Sequence, residues 1–196
     1  MDSQHFSVIV IGGGHAGCEA ALATSRLGLS TLLLTLDLST IALMPCNPSI
    51  GGPGKGHLVR EMGVIGGEMA RAIDETCIQL KWLNTSRGPA VRARRAQADK
   101  AKYRQRMTEV IFQASQLTVR QGQVIAVKTS GSRVSGVTLE TGLEFSCDRL
   151  IIATGTYLSS QIIIGPQRWP GGPHNQRSAI GLSDSLRQMG IPLRRL

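Results

Sequence analysis

The sequence predicts an α/β fold: a Rossmann-like parallel sheet interrupted by a small antiparallel β-meander. Three observations carry that expectation. Residues 8–11 form a short, continuous apolar run rich in β-branched side chains, which suits a buried strand and is too short for a helix. Gly12, Gly14 and Gly17 follow at G-x-G-x-x-G spacing, and Ala16, Cys18, Ala20, Ala21 and Ala23 give the next segment a small-residue surface on which a helix can lie close to a sheet. Residues 31–34 then form a second apolar run, so the order is strand, helix, strand.

Each glycine of the motif has a physical task. Gly12 makes the tight strand-to-helix turn, Gly14 lets the backbone approach a pyrophosphate, and Gly17 lets helix and strand pack closely. A diphosphate then rests on the unpaired N–H groups and positive dipole end of the helix. The plainer alternative is a glycine-rich turn in an ordinary α/β unit; the flanking strand and helix favour the nucleotide reading. Gly28 ends the helix. An acid about 20 residues past the glycines usually contacts the ribose of a bound dinucleotide. That place is held by Thr35, with Asp37 nearby, and a threonine hydroxyl bonds a ribose more weakly than a carboxylate does.

The following elements are read in order. Residues 41–57 carry too much glycine and proline for a regular element, and their Cys46-Asn47-Pro48 centre reads as a shaped loop. A phosphate-binding P-loop is excluded there, because Gly56 stands where serine or threonine must bind magnesium and Ser49 replaces the leading glycine. Two helical segments follow, with Leu58, Val59 and Met62 in one and Met69, Ala70 and Ile73 in the other, separated by Gly66-Gly67. Ile78, Leu80 and Trp82 alternate with Gln79 and Lys81 as a half-buried strand. Residues 96–114 read as a helix with Ala98, Ala101, Val110 and Ile111 inward and Lys100, Arg104 and Arg106 outward. The meander, over about 117–146, comprises short strands at 117–119, 124–128, 133–139 and 143–145. Residues 148–156 form another buried strand running into the Ala153-Thr154-Gly155 turn. A proline- and glycine-rich loop occupies 168–175. Ser178 caps a last helix with Ala179, Leu182, Leu186 and Met189 on one face, Gly190 ends it, and residues 191–196 enter a new strand.

A length of 196 residues suits one domain spanning 1–196, and 41% hydrophobic residues support a real core. No apolar run spans a bilayer and no signal peptide opens the chain, so the expectation is a soluble protein in the cytoplasm, without membrane partners. Cys18, Cys46, Cys77 and Cys147 lack C-x-x-C or metal spacing, which suggests free thiols in a reducing compartment and no metal site. The net charge is +9, and residues 81–106 concentrate it, with nine cations against the single acid Asp99. Such a block is either a solvated helix face or a set of phosphate contacts.

Three motifs together carry a resemblance: residues 12–17, the loop Cys46-Asn47-Pro48-Ser49-Ile50-Gly51-Gly52, and Arg87-Gly88-Pro89-Ala90-Val91-Arg92 with Arg95-Ala96-Gln97-Ala98-Asp99. The combination closely resembles the N-terminal part of the GidA/MnmG family of FAD-dependent tRNA wobble-uridine modification enzymes, and Ala153-Thr154-Gly155 matches a flavoprotein-wide second motif. The likeness covers essentially the whole chain, and Thr35 in place of an acid is what this family looks like. It implies an incomplete, N-terminal portion of an FAD-binding domain. Gly12, Gly13, Gly14, His15, Ala16 and Gly17 then fall on the FAD diphosphate loop, and Val124 falls where the family presents backbone to the adenine side. It further implies a reaction in which an aminomethyl or carboxymethylaminomethyl group is attached to C5 of the wobble uridine. That reaction uses FAD, NADH and a methylene-folate donor, with a GTPase partner of the MnmE type and a homodimeric full-length form. Cys46 is the candidate catalytic residue beside the flavin, as a nucleophile towards uracil or in proton transfer, since a thiolate of lowered pKa is a good nucleophile. The plainer reading of Cys46 is a buried structural cysteine. Lys100, Arg104 and Arg106 are the candidate tRNA contacts, with Arg87 and Arg92 as site-shaping residues. Two other readings are a truncated, non-catalytic remnant that binds FAD or RNA weakly, and a folate- and FAD-dependent tRNA uridine methyltransferase of the TrmFO type. The cysteine loop argues against the methyltransferase.

Overall fold

The computed structural model describes residues 4–45, 47–172 and 176–194. In chain order its elements are β1 (Gln4–Ile11), α1 (His15–Arg26), β2 (Thr31–Thr35), β3 (Ser49–Gly51), α2 (Lys55–Val64), α3 (Glu68–Thr76) and β4 (Cys77–Leu83). They continue with β5 (Ala93–Ala98), α4 (Lys100–Gln113), β6 (Leu117–Gln121), β7 (Val124–Ser130), β8 (Arg133–Leu139) and β9 (Glu144–Ile152). A hairpin of β10 (Gln161–Ile164) and β11 (Gln167–Pro170) and the helix α5 (Leu182–Gln188) complete the set. These elements form two compact units, one of Met1–Ile41 with Ala114–Leu196 and one of Ala42–Gln113. No helix among the described residues is long and apolar enough to cross a membrane.

The first unit is built on a six-stranded sheet in the order β6-β2-β1-β9-β8-β7. β1 pairs in parallel with β2 on one side and β9 on the other, so its apolar residues are buried on both faces. Ile9, Ile11, Leu32 and Leu34 cluster with Val137, Leu139, Phe145 and, from α5, Leu182 and Leu186. By the two-residue period of a strand, Val8 and Val10 face the other way. α1 packs on β1 and β2 with Cys18, Ala21 and Leu22 buried.

Several readings of the sequence are corrected in this unit. The expected meander loses its first strand, because β6 pairs in parallel with β2 as the edge of the main sheet. The segments expected at 143–145 and 148–156 are one strand, β9, whose Phe145 and Ser146 pair with β8 on one side and β1 on the other. Towards the end of the chain, the first residues of the loop expected at 168–175 belong instead to β11, which pairs with β10 as a hairpin, and 173–175 lie outside the described residues. The last helix starts at Leu182 behind Gly181 (φ +95°), with Met189 42% exposed, while the Ser178 hydroxyl donates to the Tyr157 carbonyl at 3.5 Å. Residues 191–194 form no strand, and 195–196 lie outside the described residues.

The second unit pairs a three-stranded antiparallel sheet, β3-β5-β4, with α2, α3 and α4. Residues 96–98, expected at the start of a helix, close the central strand β5. Asp99 sets the boundary, since its carboxylate accepts from the N–H groups of Ala101 and Lys102 at 3.1 Å each and so caps α4. The inward face of α4 is Tyr103, Met107 and Ile111, spaced four apart, in place of the smaller Ala101 and the Val110 expected there. β4 is a strand as expected, but its alternating residues are not covered: Ile78, Leu80 and Trp82 are 67%, 56% and 53% exposed.

Candidate nucleotide-binding site

The C-terminal ends of β1, β2 and β9 meet at one edge of the large sheet, where the chain runs from β1 to α1 and β2 on one side and β9 lies on the other. Open α/β sheets bind ligands at such a switch point. The Gly12 N–H donates to the Leu34 carbonyl at 2.8 Å, and the Ala153 N–H donates to the Ile11 carbonyl at 2.8 Å. These bonds tie the glycine turn to the Ala153-Thr154-Gly155 turn. Gly122 N–H donates to the Thr35 carbonyl at 2.9 Å, which brings the start of β7, and Val124, to the same edge. The structure thus gathers residues 12–17, Thr35 and Val124 at one place in one unit.

The glycines of the motif divide by what a side chain would meet. At Gly12 (φ +112°) a Cβ would stand 2.3 Å from the Ala153 carbonyl oxygen, and at Gly17 it would stand 1.7 Å from that of Gly12. At Gly13 it would meet Thr35 Oγ1 at 2.8 Å. Those three are demanded by the packing of the chain against itself. Gly14 is not: its backbone is extended (φ −72°, ψ 178°) and a Cβ there would meet nothing within 4 Å. Gly14 is also the N-cap of α1 and, being glycine, brings no side-chain cap of its own; the first turn carries no acid. The first intrahelical bond is from Cys18 N–H to the Gly14 carbonyl, at 2.9 Å. The result is an open cradle in front of a helix N-terminus, the arrangement that receives a diphosphate.

Thr35 is 5% exposed, and its hydroxyl donates to the Asp37 carbonyl at 3.4 Å. Its small size is what lets Gly13 pass over it. The Asp37 carboxylate accepts from the Ser39 N–H at 2.7 Å and shapes the turn after β2. Val124 is 3% exposed at the head of β7. Cys18 and Cys147 are buried, the Cys18 thiol donating to the Gly13 carbonyl at 3.3 Å, and burial, together with the neighbouring Asp148 charge, pushes the Cys147 thiol above its ordinary pKa. Cys46 lies outside the described residues.

The basic residues of the second unit separate into two kinds. Arg106 donates from Nε to Glu75 Oε2 at 2.5 Å and from Nη2 to Glu75 Oε1 at 3.2 Å, and its Nη2 also stands 2.9 Å from Glu68 Oε1. The Glu68 side chain is only 4% exposed. The hydrogen bond from Arg106 holds Glu75 below the ordinary carboxylate pKa, and the same bond raises Arg106. Arg106 is therefore a clamp between α3 and α4 before it is anything else. Glu68 and Glu75, seven apart on one face of α3, are the sequence signal for that clamp. Among the described residues Lys100 and Arg104 pair with no carboxylate.

Comparison with known proteins fits this geometry. The family model described as "Glucose inhibited division protein A" matches residues 7–196. The chain belongs to the GidA family. A GidA relative from Heliobacterium modesticaldum, a tRNA uridine 5-carboxymethylaminomethyl modification enzyme MnmG, is 53% identical over 190 residues, covering 97% of this chain and 30% of the relative. The MnmG of Lactococcus lactis subsp. cremoris is 50% identical over 194 residues, 98% of this chain and 31% of its own length. The solved structure of Aquifex aeolicus GidA superposes with a TM-score of 0.92 at 44% identity, over 96% of this chain and 31% of that one. A GidA-related protein from Thermus thermophilus shares the fold at 19% identity, with a TM-score of 0.68, over 94% of this chain and 68% of that one. The chain spans about 30% of the length of the curated GidA-family relatives it matches.

Proposed function

We propose that this chain is the N-terminal FAD-binding module of a flavoprotein that modifies C5 of the wobble uridine in tRNA with an aminomethyl or carboxymethylaminomethyl group. The observation that carries the cofactor part is Gly14, a glycine that the chain's own packing does not require, placed as the N-cap of α1. Residues 12–17 would hold the FAD diphosphate, Val124 would offer backbone to the adenine side, and Thr35 would support the loop from beneath. FAD supplies redox chemistry when bound. What this chain contributes is a fixed row of amide donors and a dipole that favours the diphosphate charge.

The tRNA uridine and its carboxymethylaminomethyl group are supported by the names of the relatives, and the remaining parts of the reading rest on the resemblance of the sequence motifs to the family. The modification also takes NADH and a methylene-folate donor, a GTPase partner of the MnmE type, and a homodimer in the full-length protein, in the cytoplasm. Cys46 is proposed as the catalytic thiol, and Lys100 and Arg104 as contacts to the tRNA backbone, with Arg106 bracing the helix that carries them. The test is a titration of the flavin-free chain with FAD, followed by flavin fluorescence, beside the same titration with NAD. FAD should bind in preference to NAD, and Gly14→Val should abolish the binding by filling the cradle. Equal binding by Gly14→Val, or a preference for NAD, would refute the assignment.

A further inference from the structure

The small sheet of the second unit carries a feature that the flavin site leaves unused. Trp82 on β4 is paired in register with Arg94 on β5, and the Arg94 guanidinium lies 4.8 Å from the centre of the Trp82 ring. Trp82 remains 53% exposed with that cation against it. Leu80 continues the same face of β4, about 7 Å along by the rise of a strand, and the exposed Ile78 follows at a bulge between Cys77 and Gln79. β4 is the edge strand of its sheet. Exposed aromatic and aliphatic side chains on an open edge invite aggregation unless a partner covers them.

The charges around the stripe say what kind of partner fits. Residues 76–98 contain Lys81, Arg87, Arg92, Arg94 and Arg95 and no acid at all. Among the described residues, none of the five pairs with a carboxylate. Lys81 and Arg95 are paired one step along the register and so share the other face of the sheet, where Arg95 Nε donates to Ser49 Oγ at 3.2 Å. The loop between β4 and β5 is held in shape from within. Asn84 (φ +57°) donates from Nδ2 to the Val91 carbonyl at 3.0 Å, and Arg92 Nε donates to the Arg87 carbonyl at 3.0 Å. That loop begins two residues after Trp82 and ends two before Arg94, so Arg87 sits at the same end of the hairpin as the stacked pair. A protein partner would put a charge-poor core on such a stripe. A cationic surface with an exposed aromatic in its midst is instead the composition of a single-strand nucleic-acid site.

We propose that the Trp82–Arg94 pair is a stacking platform for an unpaired base of an RNA strand, with Arg87 and Arg94 meeting its phosphates and Arg92 keeping the loop in shape. The inference rests on the tRNA reading above and assigns where the protein engages unpaired nucleotides. Unpaired bases stack on aromatic rings and guanidinium planes, whereas those of a duplex are not free to do so. The guanidinium already seated on the ring makes the platform ready before RNA arrives.

The experiment uses the full chain carrying Trp169→Phe, so that Trp82 is the only tryptophan reporting. Labelled single-stranded RNA of roughly 8–16 nucleotides, a span matched to typical single-strand sites, is titrated by anisotropy beside a duplex of the same length. Single-stranded RNA should bind more tightly than duplex and quench the Trp82 emission. Trp82→Ala should weaken the single-strand affinity roughly ten- to hundredfold, and Trp82→Phe should retain most of it. Arg94→Ala should weaken binding and flatten the salt dependence by about 0.7 in slope, the share of one phosphate contact. Circular dichroism and the FAD titration check that each variant is folded. Unchanged RNA affinity in Trp82→Ala, equal quenching by duplex, or a loss of self-association in Trp82→Ala with RNA binding intact would overturn the platform. Any of these with the FAD titration unaltered leaves the flavin reading standing, whereas a chain that binds RNA and ignores FAD fails the other way.

Discussion

Gly14→Ser separates a ligand-binding glycine from a packing glycine, because stability and affinity should move in opposite directions. The backbone at Gly14 is already extended and a Cβ there meets nothing within 4 Å, so a serine enters without strain. Replacing glycine in a compatible conformation stabilises by about 0.4–1 kcal/mol through the unfolded chain. A serine hydroxyl at the N-cap adds a few tenths of a kcal/mol by accepting from the open amides of α1. The total of about 1 kcal/mol should raise the Tm of the flavin-free chain by roughly 2–4 °C. The same hydroxyl occupies the donors that a diphosphate needs, so FAD affinity should fall at least about tenfold, since one lost set of charge-assisted bonds exceeds 1.4 kcal/mol. Gly17→Ala is the contrast. Its Cβ would lie 1.7 Å from the Gly12 carbonyl oxygen, so α1 must retreat by about 1.7 Å to reach an ordinary 3.4 Å contact. Overpacking of that size costs about 3 kcal/mol, a Tm loss of roughly 6–12 °C. Thermal unfolding of the flavin-free variants and FAD fluorescence titrations measure both. A Tm drop in Gly14→Ser comparable to that of Gly17→Ala would refute the argument, as would wild-type FAD affinity.

Other expectations follow from the second unit and the thiols. Arg106→Ala removes the cation that faces both the 4%-exposed Glu68 carboxylate and Glu75, which should cost about 3 kcal/mol and lower Tm by at least about 6 °C, read by thermal unfolding. Glu75 has its folded pKa lowered by Arg106, so its contribution is present above the unfolded carboxylate pKa and is lost as pH falls through the folded value. Urea midpoints taken from pH 7 down to pH 3 should therefore converge between wild type and Glu75→Gln at the acid end. The pair Lys100→Ala and Arg104→Ala should weaken tRNA binding at low salt and leave FAD titration unchanged; an unaltered salt slope would make that face merely solvated. Cys18 and Cys147, both buried, should resist alkylation in the native protein and label only on unfolding, as mass spectrometry of the peptides will show.

The sequence makes the β1–α1–β2 unit legible because there the constraint is backbone on backbone. Gly12 and Gly17 leave no room for a Cβ, and that demand is written directly in residue type. β5 is hidden for the opposite reason. Its Ala-Arg-Arg-Ala-Gln-Ala composition favours a helix, and the strand exists only because β3 and β4 pair on either side of it. Asp99 was the available clue, a capping residue that places the helix start after the alanines. β4 shows a further limit. Alternation tells which residues share a face, and Leu80 and Trp82 do, but it is silent on the bulge at Ile78 and on whether anything covers that face. The split of the basic block likewise depends on α3, whose acids claim Arg106 from 31 and 38 positions away along the chain.

The division into an interrupted unit and a continuous one has a consequence for how the chain emerges from the ribosome. Residues 42–113 form one unbroken stretch, so the second unit can close as soon as it is made. β1 cannot finish so early, because its second neighbour is β9, which begins at Glu144. At about 5–20 residues per second, β1 waits roughly 7–27 s with one apolar edge open after its own synthesis ends. A nascent chain stalled before Glu144 should therefore be protease-resistant in its middle and vulnerable at its start, the reverse of simple N-to-C order.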